Sequence, residues 1–263
     1  MRAALSKAQF TSEFSGRFGT ALQPRSRANN EVIPTGIVEV DTLIGGLPRG
    51  AITEIFGVSS SGRTALMLAT LAEASQRDEV CAVVDTTDAF DPKAAALAGA
   101  NLHRVLWLRC GSILEHAFKV TDMLLQGGGF GLVLLDLADV PAEESRRIIS
   151  SWWYRFRRVV EDTPTVFVVI AQDLCVRSCA SLSLQTTCES DSWRRTAETT
   201  ISSVLLPRGG GVSPPTSVVE PPTHALLFKG LRLQLHRQKP VNLSNQQVKF
   251  IARIPQSQLS LTP

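Results

Sequence analysis

A strand that must turn into a helix through a short glycine- and serine-rich link constrains this chain more than any other stretch. The run Ile52-Thr53-Glu54-Ile55-Phe56 ends at Gly57. Val58, Ser59, Ser60 and Ser61 follow, and Gly62-Arg63-Thr64 opens the helical pattern of Ala65 to Gln76. The two glycines permit backbone angles that a side chain forbids. The small serines leave amide N–H groups able to converge on an anion, and the helix adds the positive end of its dipole. This is the spacing of a phosphate-binding loop, Gly-x-x-x-x-Gly-Lys-Ser/Thr, with Arg63 where the lysine belongs. An ordinary strand-to-helix turn has the same composition. The strand before, the helix after and a carboxylate strand downstream favour phosphate. Gly57, Ser59, Ser60, Ser61, Gly62, Arg63 and Thr64 are therefore the expected nucleotide-binding residues, with the Thr64 hydroxyl offered to Mg2+.

The surrounding pattern is that of an α/β sheet. Glu79–Asp85, Val105–Leu108, Gly131–Asp136 and Pro164–Gln172 are continuous apolar runs, as parallel strands covered on both faces require. Helical spacing over Lys93–Gly99, Ser112–Gln126 and Glu143–Val160 alternates with them, which predicts right-handed crossovers. Asp85, Asp136 and Gln172 close three of these strands at the end where open α/β sheets hold ligands. Asp136, at the end of a dry strand, pairs with Thr64 as the expected metal ligand. Val38–Ile44 reads as a short helix, and Gly45–Gly50 as a turn. The aromatic residues Trp152, Trp153 and Phe156 read as core or interface.

Beyond Asp173 the pattern changes. A loop over Asp173–Ser178 precedes alternating segments at Ala180–Gln185, Thr199–Leu206, His224–His236 and Asn245–Ile254, which are expected to add antiparallel strands to the sheet. Residues 207–223, rich in Gly, Pro and Ser, read as a mobile loop inside a core spanning 31–254. Residues 255–263 read as a flexible tail.

Charge is uneven along the chain. The net charge of +3 does not by itself demand nucleic acid, but residues 1–30 carry Arg2, Lys7, Arg17, Arg25 and Arg27 against Glu13 alone. Phe10, Phe14 and Phe18 are spaced for one face of a helix in this basic arm, which suits docking on the core or on a neighbour. The opening Met-Arg-Ala-Ala-Leu lacks the apolar core of a secretory signal, and no apolar run reaches membrane-spanning length. Five cysteines without a Cys-x-x-Cys pair suit a reducing cytoplasm. Cys175 and Cys179 have half-site spacing but no nearby histidine pair to complete a metal site.

Thr35-Gly36, Gly45-Gly46-Leu47-Pro48-Arg49-Gly50, the loop at Gly57–Thr64, Asp85 with Asp91-Pro92, and the strands ending in Asp136 and Gln172 resemble the bacterial RecA recombinase core in order and spacing. Arg232–Ile254, with Arg237-Gln238-Lys239, is similar to the end of that core. Reduced chains of this kind also resemble ImuA, a RecA-related partner in mutagenic translesion synthesis. The resemblance implies a RecA-like P-loop NTPase core, mainly parallel with antiparallel strands at its C-terminal end. It implies ATP and Mg2+ as cofactors. It places Asp91 near the adenine, and Gln172 as the sensor of the γ-phosphate. The loop after Gln172, with Arg177, would bind single-stranded DNA. Arg237 and Lys239 would act with Gln172 in catalysis, reaching a neighbour's nucleotide across a filament interface, and the basic arm would dock on the adjacent subunit. Self-association or a translesion polymerase-type partner follows, in the cytoplasm and away from membranes.

Two departures weigh against turnover. The family's catalytic glutamate corresponds to Thr87, which cannot act as a general base at neutral pH, and such a loss costs about two to four orders of magnitude in rate. Arg63 keeps the lysine's charge but not its compact shape. The two loops expected to touch DNA are short, and little chain follows the core to form the family's separate C-terminal domain. The expected function is a RecA-like nucleotide-binding protein of DNA repair and the damage response with doubtful hydrolysis. The alternative is a non-hydrolysing adaptor in translesion synthesis, and a kinase or regulator on the same fold ranks last.

Overall fold

The computed structural model describes residues 31–193, 228–240 and 247–253. The basic arm, the segments at 199–206 and 207–223, and the tail at 255–263 lie outside the described residues.

Eight strands form one sheet in the order β10-β9-β8-β3-β7-β6-β4-β5. They are β3 (Ala51–Phe56), β4 (Cys81–Asp85), β5 (Val105–Arg109), β6 (Leu132–Leu137), β7 (Val166–Ala171), β8 (Leu182–Trp193), β9 (Phe228–Lys239) and β10 (Gln247–Arg253). All pairings from β8 to β5 are parallel. β9 runs antiparallel to β8, and β10 antiparallel to β9. Among the described residues the α-helices are α1 (Val38–Ile44), α2 (Arg63–Gln76), α3 (Pro92–Leu97), α4 (Leu114–Gly127), α5 (Ala142–Arg146) and α6 (Ser150–Glu161).

The apolar runs are continuous because both sheet faces are covered. Along β7, Phe167, Val169 and Ala171 enter one core with α4 and α6, while Val166, Val168 and Ile170 enter the other with α1, α2 and α3. The period of two then decides which way the functional side chains face. Asp136 is in phase with Leu132 and Leu134, so it falls on the α2 face. Glu54 is in phase with Ile52, so it falls on the opposite one. Trp153 and Phe156 are buried on α6 and pack with Phe118 and Phe167 at ring-centroid distances of 5.2 to 5.9 Å. They are core, with no face left for a nucleic-acid base.

Three boundaries depart from expectation. The helix expected over Glu143–Val160 is two helices, because Ile149 adopts an extended backbone (φ −64°, ψ 125°) as the N-cap of α6. Serines at 150 and 151 and paired isoleucines suit a break better than a helix interior. The strand expected at Ala180–Gln185 continues to Trp193, because β9 supplies a pairing ladder with bulges at Ser183/Leu184, Cys188/Ser190 and Ser192/Trp193. Its first part is parallel to β3, so the antiparallel addition begins only at β9. Within the Gly45–Gly50 turn, β2 (Leu47–Pro48) pairs with β1 (Val32–Ile33) as a separate two-stranded sheet. Among the described residues no helix is long and apolar enough to cross a membrane.

Candidate functional site

The C-terminal ends of β3 and β6 carry the site. Gly62 (φ +92°) is the left-handed N-cap of α2, and no side chain caps the helix. A Cβ at Gly62 would sit 2.2 Å from Leu233 Cδ1, so β9 packs against the loop from outside. Ser61 Oγ and Thr186 Oγ1 share a hydrogen bond of 2.8 Å, which ties the loop to β8. Thr186→Val, which keeps the shape and removes this bond, should cost about 1 kcal/mol. The reading is a lower urea midpoint at unchanged slope.

The loop's donors divide into two groups. Ser61 N donates to Val58 O at 3.1 Å inside the loop. Among the described residues, the N–H groups of Ser59, Ser60, Gly62, Arg63 and Thr64 meet no protein acceptor. These groups border a cavity of about 290 Å³ lined by Ser59–Ala65, Phe90, Asp91, Asp136, Ala138 and Asp139. The structure thus brings Ser59, Ser60, Ser61, Gly62, Arg63, Thr64, Asp91 and Asp136 to one cleft, with Gly57 at the loop's origin.

The floor of the cleft is acidic and answered by one cation. Asp136 Oδ1 accepts from Ala138 N at 2.9 Å, and the Ala138 carbonyl accepts from Arg63 Nη1 at 3.2 Å. Burial, with Asp85 and Asp139 adding to it, pushes the Asp136 carboxyl up to about 6, against the pull of the Ala138 N–H and Arg63. Arg63 is 5% exposed. Burial works against its charge, while Asp136 and Asp139 support it. A magnesium ion on Thr64 and Asp136 does not fit this arrangement well, because the Arg63 guanidinium, held on the Ala138 carbonyl, already acts electrostatically on the carboxylate it would use. Asp139 and the Ala138 carbonyl were not singled out from the sequence, although Asp139 stands three residues past Asp136. Thr186 carries no local signal at all.

Asp85 and Asp88, the carboxylates nearest Thr87 in the chain, are both engaged elsewhere. Asp85 accepts from Ala89 N at 3.0 Å, Phe90 N at 3.1 Å and Trp107 Nε1 at 3.0 Å. Asp88 forms a two-pronged pair with Arg109 at 2.9 and 2.8 Å, and that hydrogen bonding holds its carboxyl below the usual range.

The remaining expected residues lie away from the cleft lining. Gln172 is half-buried just past Ala171, which pairs with Phe56 beside the loop. Arg177 is exposed with φ +57°. Arg237 and Lys239, expected to reach a neighbour's nucleotide, are engaged within this chain. Arg237 is 5% exposed and donates to Leu43 O at 2.7 Å, satisfying the C-terminal end of α1. Lys239 Nζ donates to Arg177 O at 2.5 Å. Glu54, also unforeseen, accepts from Cys175 N at 2.6 Å and Val176 N at 2.8 Å. Arg146 pairs with Asp173. The 173–179 segment is thereby fastened at three points. Cys175 and Cys179 are buried free thiols, and among the described residues no group of His, Cys, Asp and Glu could hold a metal.

A glycine loop opening a helix at the carboxyl ends of a parallel sheet, opposite a strand-end carboxylate, defines the phosphate-binding-loop class of α/β proteins. The family model described as RecA N-terminal domain matches residues 6–147, more than half of the chain, and the chain belongs to that family. Similar curated relatives include Protein RecA of Symbiobacterium thermophilum, 42% identical over 113 residues, covering 42% of this chain and 32% of the relative. Protein RecA of Aquifex aeolicus is 36% identical over 141 residues, covering 51% of this chain and 41% of the relative. Protein RecA of Aquifex pyrophilus is 39% identical over 118 residues, covering 43% and 34%. The chain thus matches less than half the length of each of these relatives.

Proposed function

We propose that this chain is a nucleotide-binding protein of DNA recombination and repair that takes ATP at the Gly57–Thr64 loop and turns it over slowly or not at all. The observation that supports this best is the row of loop N–H groups without protein acceptors, facing a cleft that also holds Asp91 and Asp136. Slow turnover fits Thr87 at the position of the base and the engagement of Asp85 and Asp88 by other partners. In this reading Asp91 lies against the nucleoside, Gln172 reads the phosphate end, and Arg177 offers a cation to single-stranded DNA. Arg237 and Lys239 would have to leave Leu43 and Arg177 to serve a neighbouring copy. Self-association and the docking of the basic arm belong to the same proposal.

Calorimetric titration tests it. The native chain is expected to bind ATP at one site per chain, and single-stranded DNA is expected to raise that affinity. Phosphate release should stay about two or more orders of magnitude below that of a relative with the glutamate in place. Absence of any heat at millimolar ATP on a folded chain would remove the reading.

A second reading, the ImuA-like adaptor in translesion synthesis, is favoured by a different observation. A groove of about 320 Å³, lined by the apolar Leu114, Phe118, Ile148, Ile149 and Trp152 together with Glu115, Glu144 and Arg147, opens at the α5–α6 break. Ile149 is 68% exposed there. Capture of a purified translesion polymerase that is lost in Ile149→Glu, with ATP binding intact, would select this reading over the first.

A further inference from the structure

We infer that Arg63 takes the place of the divalent cation at this cleft, so that the chain holds nucleotide phosphates without a metal ion. The inference rests on the nucleotide reading above and specifies the charge that makes it work. Arg63 is the first helical residue after Gly62, yet its side chain does not extend into open solvent. It crosses to the end of β6 and donates to the Ala138 carbonyl at 3.2 Å. The N–H of that same residue donates to Asp136 Oδ1 at 2.9 Å. Asp136, Ala138 and Arg63 are thus one connected unit, and the Asp139 carboxylate also acts on the guanidinium.

The chemistry of the two cations separates the alternatives. Mg2+ demands oxygen ligands at about 2.0–2.1 Å in octahedral geometry and keeps several waters. Set against Asp136, it would bring two positive charges beside a buried guanidinium that cannot release its proton. The guanidinium itself needs no such shell. It presents five donors in a planar fork, and among the described residues only Nη1 is engaged, by Ala138, so the rest of the fork can meet phosphate oxygens. One fixed charge then screens Asp136 and Asp139 from the incoming anion, as a bound metal would, while the loop N–H groups take the phosphate oxygens.

The test is equilibrium binding of a fluorescent ATP analogue to the native chain, in excess EDTA and in millimolar magnesium. The two dissociation constants are expected to agree within about threefold, a difference well below the 1.4 kcal/mol that corresponds to a factor of ten. Arg63→Lys, checked for folding by circular dichroism, frees Ala138 and makes room at Asp136. Its affinity is expected to become magnesium-dependent by about tenfold or more. Native binding that appears only with magnesium would overturn the inference and leave the nucleotide reading standing. Native binding in neither buffer would remove both. A folded Arg63→Lys that still binds equally in both buffers would show that Arg63 is not the substitute cation. The native comparison decides the main point even where the variant fails to fold.

Discussion

Gly57→Ala is expected to lose about 3 kcal/mol or more of stability and to abolish measurable ATP binding, the larger end of what an overpacked site costs. The added methyl group would lie 2.4 Å from Thr186 O and 2.6 Å from both Ser61 Oγ and Thr186 Oγ1. The nearest obstacle is backbone, and it cannot swing aside like the end of a long side chain. β3 and β8 are paired from Thr53↔Leu182 to Phe56↔Gln185, so neither can withdraw without breaking the ladder. The strain must therefore pass into the loop, which loses the arrangement of its N–H groups. Urea unfolding and ATP titration on the same preparation check both halves. A variant with native stability would contradict the close approach of β8 to the loop.

Asp136→Asn should act in the opposite direction on stability. Burial raises this carboxyl from 3.8 in a free chain to about 6 in the fold. The folded chain therefore holds the proton more tightly than the unfolded one between these values. The stability that the protonated group contributes is complete below about pH 4 and is lost as pH rises towards 6. At 1.36 kcal/mol per pKa unit, the ionised carboxylate costs the fold about 3 kcal/mol at neutral pH. Asparagine can still accept from Ala138 N through its oxygen and carries no such cost. The variant is expected to be more stable than the native chain by about 3 kcal/mol at pH 7.5. The difference should vanish near pH 4. Denaturant midpoints at the two pH values check it, and parallel pH profiles for the two proteins would contradict it. A carboxylate kept at such a cost suits a role with a ligand better than a role in packing.

The parts of the fold legible in the sequence were those set by local patterns. Continuous apolar runs bounded by Gly, Pro and Asp placed β3, β4, β6 and β7 and their order of helices, and Val38–Ile44 is a helix with those bounds. The spacing from Gly57 to Thr64 likewise marked the turn, and a strand-end acid marked Asp136. What escaped was set by distant partners. The Ser61–Thr186 bond spans 125 positions and Arg237–Leu43 spans 194, so no window of sequence contains either pair. The engagement of Arg237 by the Leu43 carbonyl at the end of α1 has no local signal. The length of β8 followed from pairing with β9, because its polar second half has no strand signal of its own. The turn of Arg63 towards Ala138 depends on where the backbone runs after Asp136, which motif spacing does not specify.

In the proposed function the loop's backbone N–H groups seat a triphosphate. Amide-proton NMR of the labelled native chain during titration with ATP tests it most directly. The signals of Ser59, Ser60, Gly62, Arg63 and Thr64 are expected to move together and saturate with one affinity. The Ser61 signal should move least, since its N–H is already bonded to Val58 O. Saturable shifts confined to other surfaces, such as the groove at Leu114 and Trp152, with the loop signals unmoved, would contradict it.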